Sequence, residues 1–168
     1  MGSKSRIAKH IVPIIQNYIN ENNIEKYVEP FVGGANVIDK VQCKEKYGFD
    51  KNKYLIALLK RVQSGEELYE EVPKDLYDKA RIAFNNGDTS EFEDWEIGNI
   101  GFIASFNGRW FDGGYAKTGY EKTKNGMRLR NYYQEAKNNI LTQAPDLKGI
   151  VFSVSDYKES IKLPYDSG

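Results

Sequence analysis

The stretch Tyr27-Val28-Glu29-Pro30-Phe31-Val32-Gly33-Gly34-Ala35-Asn36-Val37 limits the fold more than any other part of the chain. Tyr27 and Val28 end a short strand-like run. Pro30 has no N–H to give a ladder, so the strand stops near it. Gly33 and Gly34 permit a tight turn and a close approach of backbone to a ligand. Ala35 to Lys40 can then start a helix. Strand, glycine turn and helix together predict a nucleotide-type site at the carboxyl end of a sheet strand. The pattern is not Gly-x-Gly-x-x-Gly, so a dinucleotide fingerprint is a poor match. Tyr47-Gly48-Phe49-Asp50 reads as the next strand. It ends in a carboxylate about 20 residues after Glu29, where a doubly wound sheet places the acid that binds a ribose diol.

The chain has 168 residues, enough for one domain with a real core and a small lobe. Cys43 is the only cysteine, which rules out an internal disulfide and fits a reducing, cytoplasmic compartment. His10 is the only histidine, so no histidine–cysteine metal site is expected. No apolar run approaches a membrane span, and the first residues lead into an amphipathic helix rather than a signal peptide. Net charge is zero, but its distribution is uneven. Gln63 to Glu96 holds 11 acids and 3 bases, a net of −8, and Phe106 to Lys137 holds 7 bases and 3 acids, a net of +4. A basic segment in a neutral chain is either a phosphate-facing surface or a solvated helix face.

In chain order, Ser3 or Ser5 is the expected cap of a helix running to about Asn20. Its residues Ile7, Ile11, Ile14, Ile15 and Tyr18 recur at helical spacing and are expected to face the core. Pro13 predicts a kink or break. Val28 to Asp50 reads as one βαβ unit, and Lys51 to Val62 as a helix with Leu55, Leu58, Leu59 and Val62 on one face. Gly65 ends it. From Phe102 to Tyr120, aromatics, glycines and cations interleave in a predicted loop. Such a mixture suits a nucleic-acid surface: rings stack on bases, and cations meet phosphates. Arg128-Leu129-Arg130-Asn131-Tyr132-Tyr133 is expected to open a helix returning to about Leu141. Gly149 to Val154 reads as a buried strand ending in Ser155-Asp156-Tyr157.

Glu29-Pro30-Phe31-Val32-Gly33-Gly34, followed by Asp50-Lys51-Asn52, resembles the cofactor motifs of Dam-type (D12 class) adenine-specific DNA methyltransferases. Met1-Gly2-Ser3-Lys4 looks like that family's N-terminal Gly-x-Lys motif. Phe106-Asn107-Gly108 is similar to its Tyr-Asn-Gly segment, which inserts into DNA and flips the target base. The resemblance implies an S-adenosylmethionine site built from Lys4, Glu29, Phe31, Gly33, Gly34, Asp50, Asp156 and Tyr157. Lys4 would lie at the methionine end and Asp156-Tyr157 at the adenine end. It also implies double-stranded DNA as partner, with Phe106 and Asn107 at the flipped base; the interleaved aromatics and cations extend the expected DNA surface to Arg109, Trp110, Lys122, Lys124, Arg128 and Arg130. An ordinary alternative is that Phe106, Trp110 and Phe111 pack the lobe, since large aromatics are mostly core.

The fold class expected is α/β. A partial Rossmann-like methyltransferase sheet (1–62 and 138–168) carries an inserted, mostly helical recognition lobe (63–137). The family's catalytic Asp-Pro-Pro-Tyr does not occur; Leu163-Pro164-Tyr165-Asp166 has no preceding Asp and reads as linker. No catalytic residue is therefore assigned. The chain is expected to be a truncated form with little activity alone, or to need a second chain or copy that completes the sheet. Two alternatives stand beside this reading. One is a non-catalytic cofactor- or DNA-binding remnant. The other is a nucleotide-dependent enzyme on another Rossmann-like scaffold.

Overall fold

Strand β2 (Glu45–Asp50) is the axis of the molecule. The computed structural model describes residues 4–162; Met1, Gly2, Ser3 and the Pro164-Tyr165 pair lie outside that range. On one side β2 pairs in parallel with β1 (Lys26–Glu29), and on the other with β5 (Ile150–Val154). The sheet order is β1-β2-β5, with Glu29, Gly48 and Phe152 in one row across the strands. This mixed α/β fold with a three-stranded parallel sheet is consistent with a methyltransferase-like architecture.

Helix α1 (Ser5–Glu21) runs through Pro13 without interruption. Ser5 is its first helical residue, and the cap position falls on Lys4 with no side-chain cap bond. The buried face is only in part the one expected, since Ile15 packs inward and Ile11 is half-buried. Ala8 and Ile19, with Val12 and Ile15, pack on Val37 and Val41, whereas Ile7, Ile14 and Tyr18 are exposed. An apolar helix side this broad has no unique inward direction. The narrow seam against Val37 and Val41 selects the side bearing the small Ala8.

Ala35 to Lys40 does not form the expected helix; it is a run of turns. Ala35 sits at φ 59°, a left-handed conformation incompatible with starting one. Burial of Val37, Ile38 and Val41 holds the turns in place. Helix α2 (Lys53–Ser64) forms where expected. The Asn52 side chain accepts from the amides of Tyr54 and Leu55, and Gly65, at φ 77°, closes the other end.

Beyond α2 come α3 (Lys74–Asn86), α4 (Asp94–Gly98) and a π-type turn over Asn99–Ile103. A hairpin of β3 (Gly119–Thr123) and β4 (Gly126–Arg130) follows, then α5 (Tyr132–Gln143). Arg128 to Arg130 are thus strand, and the expected helix begins only at Tyr132. α4 crosses α2 closely enough that a Cβ on Gly98 would lie 2.2 Å from the Tyr54 carbonyl oxygen. Packing shows no break at 62/63 or 137/138. α2 and α5 run through those points, and Tyr77, Ile97 and Phe111 share one buried cluster with Leu55, Leu59 and Phe152. After β5, a short helix α6 (Tyr157–Ser160) begins, capped by the Asp156 side chain.

Candidate functional site

The carboxyl ends of all three parallel strands meet at one edge of the sheet. β1 delivers Glu29 there, β2 delivers Asp50, and β5 leads into Asp156 and Tyr157. Past Pro30, the Val32 amide donates to the Phe49 carbonyl at 2.8 Å, which holds the glycine loop over the end of β2. The Gly33 amide donates to Oδ2 of Asp50 at 3.2 Å, and Oδ1 accepts from the Asn52 amide at 3.0 Å. The ring of Phe31 meets that of Tyr157 with centroids 5.2 Å apart. A Cβ built on Gly33 would meet nothing within 4 Å, so the loop faces open space there.

Lys4, just ahead of α1, reaches the same edge. Its Nζ donates to Glu29 Oε1 at 2.6 Å and to the Phe31 carbonyl at 2.6 Å. Glu29 is buried, at 6 % exposure, and its Oε2 has no hydrogen-bond partner among the described residues. Burial raises the Glu29 carboxyl above its ordinary value, and this outweighs the opposing pull of Lys4. The same burial, helped by the nearby Glu29, pushes the Tyr27 hydroxyl up.

Of the residues proposed for a cofactor, Lys4, Glu29, Phe31, Gly33, Asp50 and Tyr157 form this one linked group. Asp156 stands beside it, and its Oδ1 is occupied by the Lys158 amide at 2.9 Å. Gly34 turns the other way. Its carbonyl accepts from Gln143 Nε2 at 3.0 Å, and Gln143 also holds the buried Asp39 at 2.8 Å. A cavity of about 530 Å³ opens behind it, lined by Gly34, Asn36, Phe102, Asn107, Asn139 and Gln143 among others. Local sequence gives no sign of Gln143, which lies on α5 far from the glycine loop.

The aromatic segment is pinned at its base. The Phe106 amide donates to the Gly114 carbonyl, and the Ala116 amide to the Ala104 carbonyl, each at 2.8 Å. Phe106 is exposed and meets Tyr132 edge-on at 5.5 Å. Asn107 (φ 54°) and Gly108 (φ 61°) both take left-handed backbone. Trp110 packs instead, 6.1 Å from Tyr54, 5.5 Å from Phe84 and 5.4 Å from Phe111. Phe111 is buried.

The basic residues divide between the two faces of the hairpin. Lys122 lies opposite Met127, and Arg128 opposite Glu121, so the two cations point to opposite sides. Arg109, Lys122, Lys124 and Arg128 are exposed. Arg130 is engaged within the fold. It pairs with Glu135, bonds Glu121 at 3.1 Å and lies 4.8 Å from the Tyr132 ring centroid. Arg130 lowers the Glu135 carboxyl, and Glu135 raises the Arg130 guanidinium.

The family model for D12 class N6 adenine-specific DNA methyltransferases matches residues 1–168. The chain belongs to this family. No curated protein matches it. For a D12 class DNA methyltransferase the substrate is DNA, and the family's cofactor is S-adenosylmethionine. No described helix is long and apolar enough to cross a membrane, and no described cluster of His, Cys, Asp or Glu is arranged to hold a metal ion.

The hairpin is the element that sequence reasoning missed. Part of its signal was present: Asn125-Gly126 is a common hairpin-turn pair, although the turn itself falls on Lys124-Asn125 and Gly126 opens β4 opposite Thr123.

Proposed function

We propose that this chain binds S-adenosylmethionine at the carboxyl edge of its sheet, and duplex DNA along the surface from Phe106 to Arg130. In that role it serves methyl transfer to the exocyclic amine of adenine. The observation that carries the reading is the linked group at the sheet edge. Asp50 fixes the Gly33 amide while keeping lone pairs for a ribose diol, since each carboxylate oxygen can accept more than one bond. The Phe31 and Tyr157 rings offer apolar faces to a purine. Lys4 supplies a cation for the amino-acid carboxylate, and the unpaired Oε2 of Glu29 supplies an acceptor for the ammonium. These residue types fit the cofactor, whose sulfonium carries the methyl group when bound.

On the DNA side, Phe106 is the exposed wedge with the Tyr132 ring edge-on beside it, and Trp110 packs within the aromatic cluster of the same segment. Arg109, Lys122, Lys124 and Arg128 neutralise phosphates, while Arg130 holds the hairpin to α5. The cavity between Gly34 and Asn107 leaves room for an extruded base next to the cofactor loop. In this reading residues 63–137 form the recognition lobe, although they share the sheet's core.

Adenine's amine is a weak nucleophile, and Asp-Pro-Pro-Tyr would accept its hydrogens and stack on the base. That motif is not among the 168 residues. We place it on a further strand alongside β1, which among the described strands pairs only with β2. The 168-residue chain alone should therefore give background in a tritium-transfer assay on adenine-containing duplex. A form that includes the motif should gain activity, on the about 100- to 10,000-fold scale of positioned proton acceptors. Robust turnover by the shorter chain would overturn this assignment. Cofactor and DNA binding with no turnover in either form would favour a binding remnant.

A further inference from the structure

The peptide that joins Gly34 to Ala35 is held from both ends. Its N–H donates to the Val32 carbonyl at 2.9 Å, and its C=O accepts from Gln143 Nε2 at 3.0 Å. The backbone around it needs that restraint. Gly33 lies at φ 51° and Ala35 at φ 59°. For Ala35, whose Cβ is buried, this left-handed conformation is unfavourable. Turning the peptide over would carry Ala35 back to ordinary backbone, and Gly34 has no side chain to resist the change. The glycine loop thus has a competing conformation close at hand.

Gln143 suits the restraint by position and by chemistry. Helix α5 is fixed ahead of it. The buried Tyr133 donates its hydroxyl to the Tyr69 carbonyl at 2.7 Å, and Ile140 packs in the core. Gln143 lies three residues beyond Ile140, on the same side of the helix. Its Nε2 also donates to Oδ2 of the buried Asp39 at 2.8 Å, and Lys40 holds that carboxylate from the other side at 2.9 and 3.0 Å. Both partners of Nε2 are acceptors. The two hydrogens of one amide nitrogen satisfy both, which fixes the orientation of the amide. A carboxylate at 143 could serve neither partner.

We infer that Gln143 is a positioning residue of the cofactor site. Through the Gly34 carbonyl it keeps the glycine loop on the left-handed course that presents Gly33 and Asp50 to S-adenosylmethionine. The inference rests on the cofactor reading above. It adds that the loop does not hold its shape alone: α5 completes it from 109 residues away in sequence.

The test uses Q143E, which keeps the size of the side chain and removes its donors. Calorimetry on the 168-residue chain should show affinity for S-adenosylmethionine falling about two- to tenfold, the scale of one net hydrogen bond. Without cofactor, the Ala35 amide should exchange faster than in the unaltered chain. Adding D39N gives the new carboxylate a donor and removes the repulsion between two acids, but leaves the Gly34 carbonyl unanswered. The thermal midpoint should therefore recover in the double variant, while affinity and Ala35 exchange should not. Recovery of all three together would mean a purely structural role and would overturn the inference. So would Q143E that binds like the unaltered chain, or an Ala35 amide equally protected in both. Q143A removes both bonds without adding charge, and gives the same comparison of affinity and exchange where Q143E does not fold. Absence of cofactor binding by the unaltered chain would remove the cofactor reading and this inference with it, whereas equal binding by chain and variant would remove the inference alone.

Discussion

The amide of Gly33 and the carboxylate of Asp50 are joined at 3.2 Å across the ends of two parallel strands. One side chain therefore sets the height of the glycine loop and also faces the proposed ribose position. Asp50→Ala should weaken S-adenosylmethionine binding by about 1–3 kcal/mol, the scale of hydrogen bonds to a charged group. Asp50→Asn keeps one acceptor oxygen and should lose less. Calorimetric titration checks both. Equal affinity of wild type and Asp50→Ala would remove Asp50 from the site.

Glu29 gives a pH dependence with a defined sign. Burial raises its folded pKa above the ordinary value of 4.5, so folding takes up a proton. Below the ordinary value the carboxyl is neutral in both states and has no effect. As pH climbs through the raised value, the buried charge costs stability. Asp39 and Tyr27 lie near it; Asp39 adds to that cost, while Lys4 and the Ile38 backbone partly offset it. Urea midpoints should thus decline over this window, and Glu29→Gln should flatten the decline. An unaltered slope in the variant would assign the effect to other groups.

Phe106 should matter after docking rather than during it. Its exposure and single edge-on contact with Tyr132 mean that Phe106→Ala removes little packing. We expect near-normal duplex affinity but reduced fluorescence gain from 2-aminopurine at the target position. An unchanged gain would exclude it as the wedge.

The hairpin cations should separate into two classes. Removing Lys122, Lys124 or Arg128 should lower the salt dependence of DNA binding by about 0.9 in log–log slope for each phosphate that is no longer neutralised. Arg130→Ala breaks the links to Glu135 and Glu121. Its main effect should be faster amide exchange across β3–β4. Protected hairpin amides in that variant would contradict the structural role.

Gly98→Ala tests the α2–α4 contact. The new Cβ would meet the Tyr54 carbonyl oxygen at 2.2 Å, so one helix must move. Overpacking of this kind costs about 1–3 kcal/mol. A thermal midpoint equal to that of the unaltered chain would mean that the helices separate freely.

What the sequence made legible was the sheet edge. Short apolar runs bounded by Pro30, Gly33 and Gly149 marked the strands, and the acids at 29, 50 and 156 marked their ends. Less legible were features decided by packing. The repeat on α1 has the correct period, but of its members only Ile15 packs on the core cluster, because Ile7, Ile14 and Tyr18 are as apolar as the residues that turn inward. Ala35 looks like a helix former, and its left-handed backbone is imposed by the turn leaving Gly33. Arg128 to Arg130 resemble a helix start, although Asn125-Gly126 just ahead of them points to a turn. The Gln143 bridge to Gly34 and Asp39 spans most of the chain and leaves no local pattern.

Strands β2 and β5 are neighbours in space, yet everything from 51 to 149 lies between them in sequence. Their ladder is thus a long-range contact whose closure must wait until that whole stretch has been made and gathered in. The contacts of α2 with α4 and of β3 with β4 are local by comparison, and such contacts form quickly. We therefore expect refolding in which helical signal and hairpin protection precede protection of Tyr47 and Phe152, as pulsed hydrogen exchange would report. The same geometry makes the intervening length cheap to vary, since doubling a closed loop costs only about 0.6 kcal/mol. Chain inserted at an exposed turn such as Lys124-Asn125 therefore adds little closure cost, while one residue of slippage within the ladder would turn Gly48 and Phe152 to the wrong side of the sheet.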